Sequence, residues 1–424
     1  MFRYLCMLGY LGFVAAAKLD NGGKHWAVIV AGSNGYGNYR HQADVCHAYH
    51  VLKDHGIEEE NIIVMMYDDI AHNEENPDKG VIINRPNGEN VYEGVKIDYK
   101  GKDVTPEVFL AVIQGHKSAV SGVGTGRVLE SGSNDNVFIN FVDHGAPGLV
   151  AFPSAELHAR KLMEALKYMH SNQMYHEMVI YLEACESGSM FQKLLPDNLN
   201  IYATTAANAK ESSYAIYFDK KLDTYLGDVY SVKWMENADV DNLNKETLMA
   251  QFKEVKKETN TSHVMEYGDM SLSKQPAGDF LGNTPSARNI YYPHLPDDAV
   301  PSPDVDLHIL SHKIAVATSE EDRVAHQERL VQLIHERDEI TQEMKHIVSF
   351  ALNHQHLSVS EAMANRSEII NFDCYEPAVV FYSENCRQLS QTPFALRVLY
   401  ALQNVCNVED IKLEAIINAM EKVC

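Results

Sequence analysis

Five short apolar runs recur along the first half of the chain with helical stretches between them. They are His25–Ala31 (HWAVIVA), Ile62–Tyr67 (IIVMMY), Val137–Val142 (VFINFV), Met178–Ala184 and Asn200–Ala206. Gln42–His55, Pro106–Lys117 and Leu157–His170 carry the helical patterning. Strands that alternate with helices predict right-handed crossovers and a mostly parallel α/β sheet with helices on both faces. Such sheets bind ligands outside the carboxyl ends of their strands. The residues just past those ends are therefore the first to read for chemistry.

The fourth run ends in VIYLEACESGS, so Cys185 leaves a buried strand where the chain must turn. The third ends Val142-Asp143-His144-Gly145, and the first runs into the loop Gly32–Asn38. Alone, Cys185 reads as a core thiol and His144 as a capping histidine. Together on one sheet edge, Asn38, His144 and Cys185 point to nucleophilic catalysis. A free thiol titrates near pH ~8.5, so it needs a histidine to take its proton and later protonate the leaving amine. The backbone N–H groups of Gly145 and Cys185 could stabilise an oxyanion. The glycine loop AGSNGYGNYRHQ lacks the dinucleotide-binding spacing and delivers Asn38, Arg40 and His41 instead. His41, Cys46, His47 and His50 share one helix with no distant ligand pair, so neither a metal nor a cofactor is expected.

Met1-Phe2-Arg3, the apolar run from Leu5 to Val14 and Ala15-Ala16-Ala17 read as a secretory signal peptide, residues 1–17. That run is too short to span a bilayer, and no later one is long enough. A net charge of -23 argues against nucleic acid or anionic membrane as a partner. It also suits an acidic compartment, where carboxylates protonate and self-repulsion falls. Of the seven cysteines, Cys6 leaves with the signal. Cys374, Cys386, Cys406 and Cys424 form an even set that reads as two disulfides, with three pairings open. Cys46 and Cys185 are left over.

From Tyr291 to Asp322 the texture changes: YYPHLPDDAVPSPDVD is rich in Pro and Asp and reads as a linker. Glu320–Leu352 has helical periodicity with charges on one face. The remainder, to Cys424, reads as a separate helical domain stapled by the four cysteines.

The chain resembles the legumain family of asparaginyl endopeptidases, caspase-like cysteine peptidases. The stretches that carry the resemblance are KHWAVIVAGSNGYGNYRHQADVCHAY, VMMYDDIA, INRPNGENVY, DVTPEVFLAV, FVDHG, YLEACESGSM, YATTAANAKESSYA and TYLGDVYSVKWMEN. The resemblance runs from about residue 24 to the end. It implies a caspase-like fold in which His144 and Cys185 are the catalytic dyad, Asn38 orients the histidine and Gly145 serves the oxyanion. It places Arg40, His41, Glu183, Ser212, Ser213 and Asp228 around a pocket for the substrate asparagine. A side-chain amide both donates and accepts, so donors and acceptors are both needed there. Glu183 and Cys185 alternate at one strand end, so both should face the same cleft. Asp143 matches a position found as a cyclic succinimide in some members; the plain aspartate is the reading favoured here.

The resemblance also implies the pairs Cys374–Cys406 and Cys386–Cys424 in an inhibitory prodomain, residues 323–424. The other expected parts are a short N-terminal propeptide (18–21), a catalytic domain (22–290) and an activation linker (291–322). Asn260 and Asn365 open glycosylation sequons. Partners implied are peptides and proteins with exposed asparagine, the chain's own prodomain and cystatin-type inhibitors, in a lysosome-like or secreted location. The chain departs from the family in two places. No asparagine lies between Ile290 and Leu352 for self-cleavage, so Asp322 is the expected site there, with N-terminal trimming after Asn21 or after Asp20. An Arg-Gly-Asp found in some members is replaced by Gln114-Gly115-His116. An asparaginyl ligase or transamidase is the alternative on the same fold, and a silent binding protein the rival from another class.

Overall fold

A computed structural model describes Leu19, residues 21–285, Tyr292, Leu295, and residues 298–352 and 356–424. The signal peptide and Asp20 lie outside the described residues. The strands are β1 His25–Ala31, β2 Ile62–Met65, β3 Asn136–Val142, β4 Gly145–Ala146, β5 Leu149–Phe152, β6 Ala155–His158, β7 Glu177–Glu183, β8 Ile201–Thr205, β9 Tyr214–Asp219, β10 Thr224–Asp228, β11 Met265–Gly268 and β12 Val300–Pro301. The α-helices are α1 Tyr39–Asp54, α2 Pro106–Ile113, α3 Ala159–Ser171, α4 Val229–Val240, α5 Leu248–Glu258, α6 Gly278–Leu281, α7 Val305–Val316, α8 Glu320–Leu352, α9 Val359–Ala364, α10 Phe372–Asn385, α11 Pro393–Cys406 and α12 Leu413–Val423.

The main sheet has six strands in the order β11-β8-β7-β3-β1-β2. The five predicted strands pair in parallel. The sixth, β11, joins antiparallel to β8 at the edge and lies beyond the predicted run of strands. Burial of both faces explains the unbroken apolar runs. On β1, Ala27, Ile29 and Ala31 pack into the layer holding α1 and α4, while Val28 and Val30 pack into the layer holding α2 and α3. Local chemistry starts the helices: Thr105 accepts from Val108 N at 3.2 Å ahead of Pro106 at the first position of α2.

β1, β3 and β7 are neighbours, so the loops after them open on one edge. The β4–β5 hairpin begins at Gly145, directly after His144. Its Ala146, Leu149 and Ala151 enter the C-terminal core with Ile340, Met344, Tyr375, Leu399 and Leu402. The helical bundle therefore docks beside the sheet edge that carries the strand-end residues. Cys374 is bonded to Cys406 and Cys386 to Cys424. Closing loops of 32 and 38 residues should stabilise the bundle by about 4 kcal/mol each.

The segment read as a linker is structured in part. β12 pairs antiparallel with β9, and α7 packs against α8. Pro and Asp suggested an irregular stretch, but Pro303 and Asp304 form a tight 3-10 turn leading into α7. Asp322 lies in the first turn of α8 rather than in a flexible loop. Its backbone N–H donates to Ser319 Oγ at 3.0 Å, and that hydroxyl donates back to its carboxylate at 2.6 Å. Proteolysis at Asp322 requires this exposed turn to fray. If it is the self-processing site, Asp322→Ala should lower zymogen conversion at about pH 4 by an order of magnitude or more, with intact mass reading the new terminus. An unchanged terminus removes Asp322 from consideration.

Candidate active site

Each strand end delivers its residue through a different local device. After β1, Asn38 closes a 3-10 turn and stands at the N-cap position of α1, with its side chain left free of helix capping. After β3, His144 is followed by Gly145, where a Cβ would lie 2.3 Å from the Cys185 carbonyl oxygen. Only glycine lets the two loops come this close. After β7, the strand stops at Glu183, and Cys185 sits in the turn beyond it. The thiol is thus placed by a turn and not by strand alternation with Glu183. The turn is completed by Glu186 at φ 50, a left-handed conformation uncommon outside glycine.

His144 Nε2 lies 2.8 Å from Asn38 Oδ1. Asn38 Nδ2 donates to the Asn34 carbonyl at 2.9 Å, which orients the amide oxygen toward the histidine. Nε2 must then carry the proton, leaving the Nδ1 lone pair to accept one. Cys185 Sγ lies 3.7 Å from Ser213 Oγ. No hydrogen bond joins His144 to Cys185 among the described contacts. Burial, with the Cys–Glu186 repulsion second, pushes the Cys185 thiol up to about 12. Burial, with Arg40 second, holds His144 down at about 3. Both shifts favour an uncharged thiol and an uncharged imidazole over an ion pair at this buried spot.

Arg40 and His41 occupy the first turn of α1, both buried. Arg40 Nε donates to Asp228 Oδ1 at 3.0 Å, and its Nη1 donates to the Gly37 carbonyl at 3.2 Å. His41 Nδ1 meets Ser33 Oγ at 2.6 Å and lies 3.3 Å from Asp143 Oδ1; its Nε2 is 3.5 Å from Asp228 Oδ2. Glu183 Oε2 accepts from the backbone and hydroxyl of Ser231 at 2.9 and 3.0 Å. Glu183 Oε1 and Asp228 Oδ2 are buried with no hydrogen-bond donor among the described residues. Burial, and next the Asp228 charge, pushes Glu183 well above the carboxylate range, and burial does the same to Asp143. The structure thus gathers Arg40, His41, Glu183 and Asp228. Ser213 lies beside the thiol, with half-buried Ser212 next to it in the chain. His41, Asp143 and His144 offer ligand atoms within 4.8 Å of one another, but both histidines already hold Ser33 and Asn38. Of the helix examined for metal, Cys46 instead packs against Met66 and His50 bonds the Val91 carbonyl.

The cleft is covered. β12 lies along β9 as an added strand, Ser302 N donates to the Ser213 carbonyl at 2.9 Å, and Arg40 Nη2 donates to Ser302 Oγ at 2.7 Å. Arg337 of α8 holds this segment through Asp304 and the Pro303 carbonyl at 2.9 and 2.6 Å. A cavity of about 140 Å³ remains, with Asn38, Arg40 and His144 on one side and Ser302, Arg337 and Phe394 on the other. Tyr400 of α11 donates to Glu186 at 3.2 Å, next to the thiol.

Sequence reasoning missed Ser33, Ser231, Ser302 and the part played by Glu186. Ser231 stands three residues after Asp228, a spacing that marks one helix face, while Ser302 carries no local signal at all. Asn21, Asn260 and Asn365 are exposed, as trimming and glycosylation require. Among the described residues, no helix is long and apolar enough to cross a membrane.

Residues 25–283 match the peptidase C13 family, and residues 328–424 match the legumain prodomain. The chain is 49% identical to mouse legumain (Mus musculus) over 96% of its length and 93% of the relative's. It is 47% identical to human legumain (Homo sapiens) over 98% and 96%. It is 45% identical to the hemoglobinase of Schistosoma mansoni over 94% and 91%. A caspase-1 structure from Spodoptera frugiperda overlays at TM-score 0.37 and 10% identity over 64% of this chain and 94% of that one, too loosely to add weight.

Proposed function

The chain belongs to the peptidase C13 family, and we infer from that premise and from the cleft that it is a cysteine endopeptidase cleaving after asparagine and made with an inhibitory prodomain. In this reading Cys185 attacks the carbonyl after the bound asparagine, and its proton passes to His144 Nδ1. Asn38 holds the ring with Nε2 protonated. The backbone N–H groups of Gly145 and Cys185 face the oxyanion. His144 then protonates the departing amine, and water releases the acyl group by the reverse sequence.

The observation that carries the specificity is the pair of undonated carboxylate oxygens beside one arginine. A primary amide has two N–H donors and one acceptor. Glu183 Oε1 and Asp228 Oδ2 suit the donors, and Arg40 Nη2, now given to Ser302, suits the acceptor. A site built this way rejects side chains lacking the amide more strongly than an apolar pocket does. Exposed asparagine in protein substrates, inhibition by cystatin-type proteins and work in an acidic lysosome-like compartment follow from the same reading. Two disulfides fit passage through an oxidising secretory route.

Aspartate should enter the pocket only when protonated, because its carboxylate has no proton to donate to Glu183 Oε1 or Asp228 Oδ2. With a free pKa of about 3.9, the aspartate-to-asparagine ratio of kcat/KM should rise about tenfold per pH unit as pH falls from about 6 to 5. Matched Ala-Ala-Asn and Ala-Ala-Asp reporters measure it. A ratio flat across that window contradicts the pocket. A ligase or transamidase reading would show as amine-dependent product in the same assay.

A further inference from the structure

Asp44 lies one turn beyond Arg40 on α1 and is fully buried. Its Oδ2 accepts from the backbone N–H of Asp228 at 3.1 Å, and its Oδ1 accepts from Asn84 Nδ2 at 2.7 Å. The same amide donates to the Leu226 carbonyl at 2.9 Å. With its nitrogen facing two acceptors, Asn84 must turn its Oδ1 to His47 Nδ1, 2.7 Å away. His47 Nε2 meets Asp239 Oδ2 at 2.9 Å. Both ring nitrogens therefore donate, and His47 is an imidazolium. Asp239 also accepts from the Tyr292 hydroxyl. Packing tightens the same spot: a Cβ on Gly227 would lie 2.9 Å from both Asn84 Nδ2 and Asp44 Oδ1.

We propose that Asp44 and Asn84 are positioning residues of the asparagine pocket, which clamp the end of β10 and so set where Asp228 meets the substrate amide. This rests on the reading of Arg40, Glu183 and Asp228 as that pocket. Asp228 is the residue at which β10 passes into α4, and its side chain is tied to α1 through Arg40. Its backbone is tied to α1 through Asp44. Asp44, Glu183 and Asp228 crowd three acid side chains into one buried site, so the geometry needs an opposing hold. A buried carboxylate such as Asp44 is costly unless compensated. Asn84 compensates it by donating from Nδ2, and the His47 ring at Asn84 Oδ1 holds that amide in the donating orientation. The asparagine of INRPNGENVY, a motif the dyad and pocket do not use, thereby gains a role. Asn84 and His47 also line a cavity of about 360 Å³.

The test compares Asn84→Ala and Asp44→Asn with wild type after activation. Asp44→Asn keeps the volume but turns one of two acceptor oxygens into a donor, so the new amide must face either Asn84 Nδ2 or the Asp228 N–H donor to donor, and the clamp breaks either way. Each variant should raise KM for an Ala-Ala-Asn reporter about tenfold with kcat changed less than threefold, the pattern of lost substrate binding. Alkylation of Cys185 by iodoacetamide, which does not use the pocket, should stay within twofold of wild type. If Asn84→Ala does not fold, the isosteric Asp44→Asn carries the test. KM unchanged in the folded variants overturns the proposal, as does a parallel loss of hydrolysis and alkylation, which marks general distortion. Asp228→Ala run alongside separates the two levels. If it leaves KM for asparagine unchanged, the pocket reading itself fails. If it raises KM while the other two variants are silent, only the positioning role fails.

Discussion

The Cys185→Ala protein should fold, bind asparagine peptides and cleave none of them. Its core is untouched, since the thiol occupies a turn beyond β7, 3.7 Å from the Ser213 hydroxyl. His144→Ala should lower kcat/KM by on the order of 10³-fold or more, because it removes the imidazole that takes the thiol proton and returns it to the leaving amine, and no second imidazole stands in for it. His41 is the nearest candidate, its ring 5.0 Å from that of His144, but both its nitrogens face Ser33, Asp143 and Asp228. Asn38→Ala should cost less, since it frees the tautomer without removing the base. The three variants are compared by active-site titration and reporter hydrolysis after activation by an added protease. Turnover above about 1% of wild type in Cys185→Ala or His144→Ala would refute the dyad. Retained self-processing in pure Cys185→Ala would refute self-activation.

Acid should release the C-terminal helices. A group held below its free pKa in the closed form takes up a proton on opening, so its contribution to closure is lost as pH falls. Glu368 is such a group, held low by its Lys193 partner at 2.6 Å. His158 is another, held low by its burial. Once the histidine protonates, below about pH 6.5 in the open form, returning it to the interface costs free energy. Glu186 works the other way. Burial pushes it up to about 8 against the Tyr400 hydrogen bond, so its contribution to closure is complete at low pH and fades as pH rises toward 8. Glu156, raised by burial beside Ser383, has the same sign. Acid release is therefore a net result and not a property of every acid at the interface.

That opposition can be measured. The inactive Cys185→Ala chain is nicked between α7 and α8 and passed over gel filtration from about pH 7 to pH 4. The C-terminal fragment should stay bound at the first and separate at the second. His158→Phe keeps the apolar packing and removes the proton, so its release midpoint should move down by about half a unit or more. Glu186→Gln, permanently neutral, should tighten closure at pH 7 and leave release at pH 4 unchanged. A His158→Phe midpoint equal to wild type, or a Glu186→Gln chain that opens more readily at pH 7, contradicts this assignment of signs.

The parallel sheet and its three chemical ends were legible in the sequence because both depend on local pattern. Apolar runs of strand length, spaced by helices, allow few arrangements, and a residue just past such a run must emerge at the carboxyl edge. The long helix Glu320–Leu352 was legible for the same reason. The antiparallel β11 was not, because MEYG has no apolar period of its own and is a strand only through its pairing with β8. Nor was α7, whose Pro- and Asp-rich approach hid a helix that packs on α8.

Within the site, residue types were readable and relations were not. Asn38 could be named, but the His144 tautomer depends on where Asn34 turns the amide. Glu183 and Asp228 could be named, but Ser231, Asp44 and Asn84 decide which of their oxygens are free and where they stand. Ser302 reaches Arg40 across 262 positions of chain, and Tyr400 reaches Glu186 across 214. Hydrogen bonds act over about 3 Å, and only the packed chain brings such distant groups within that range.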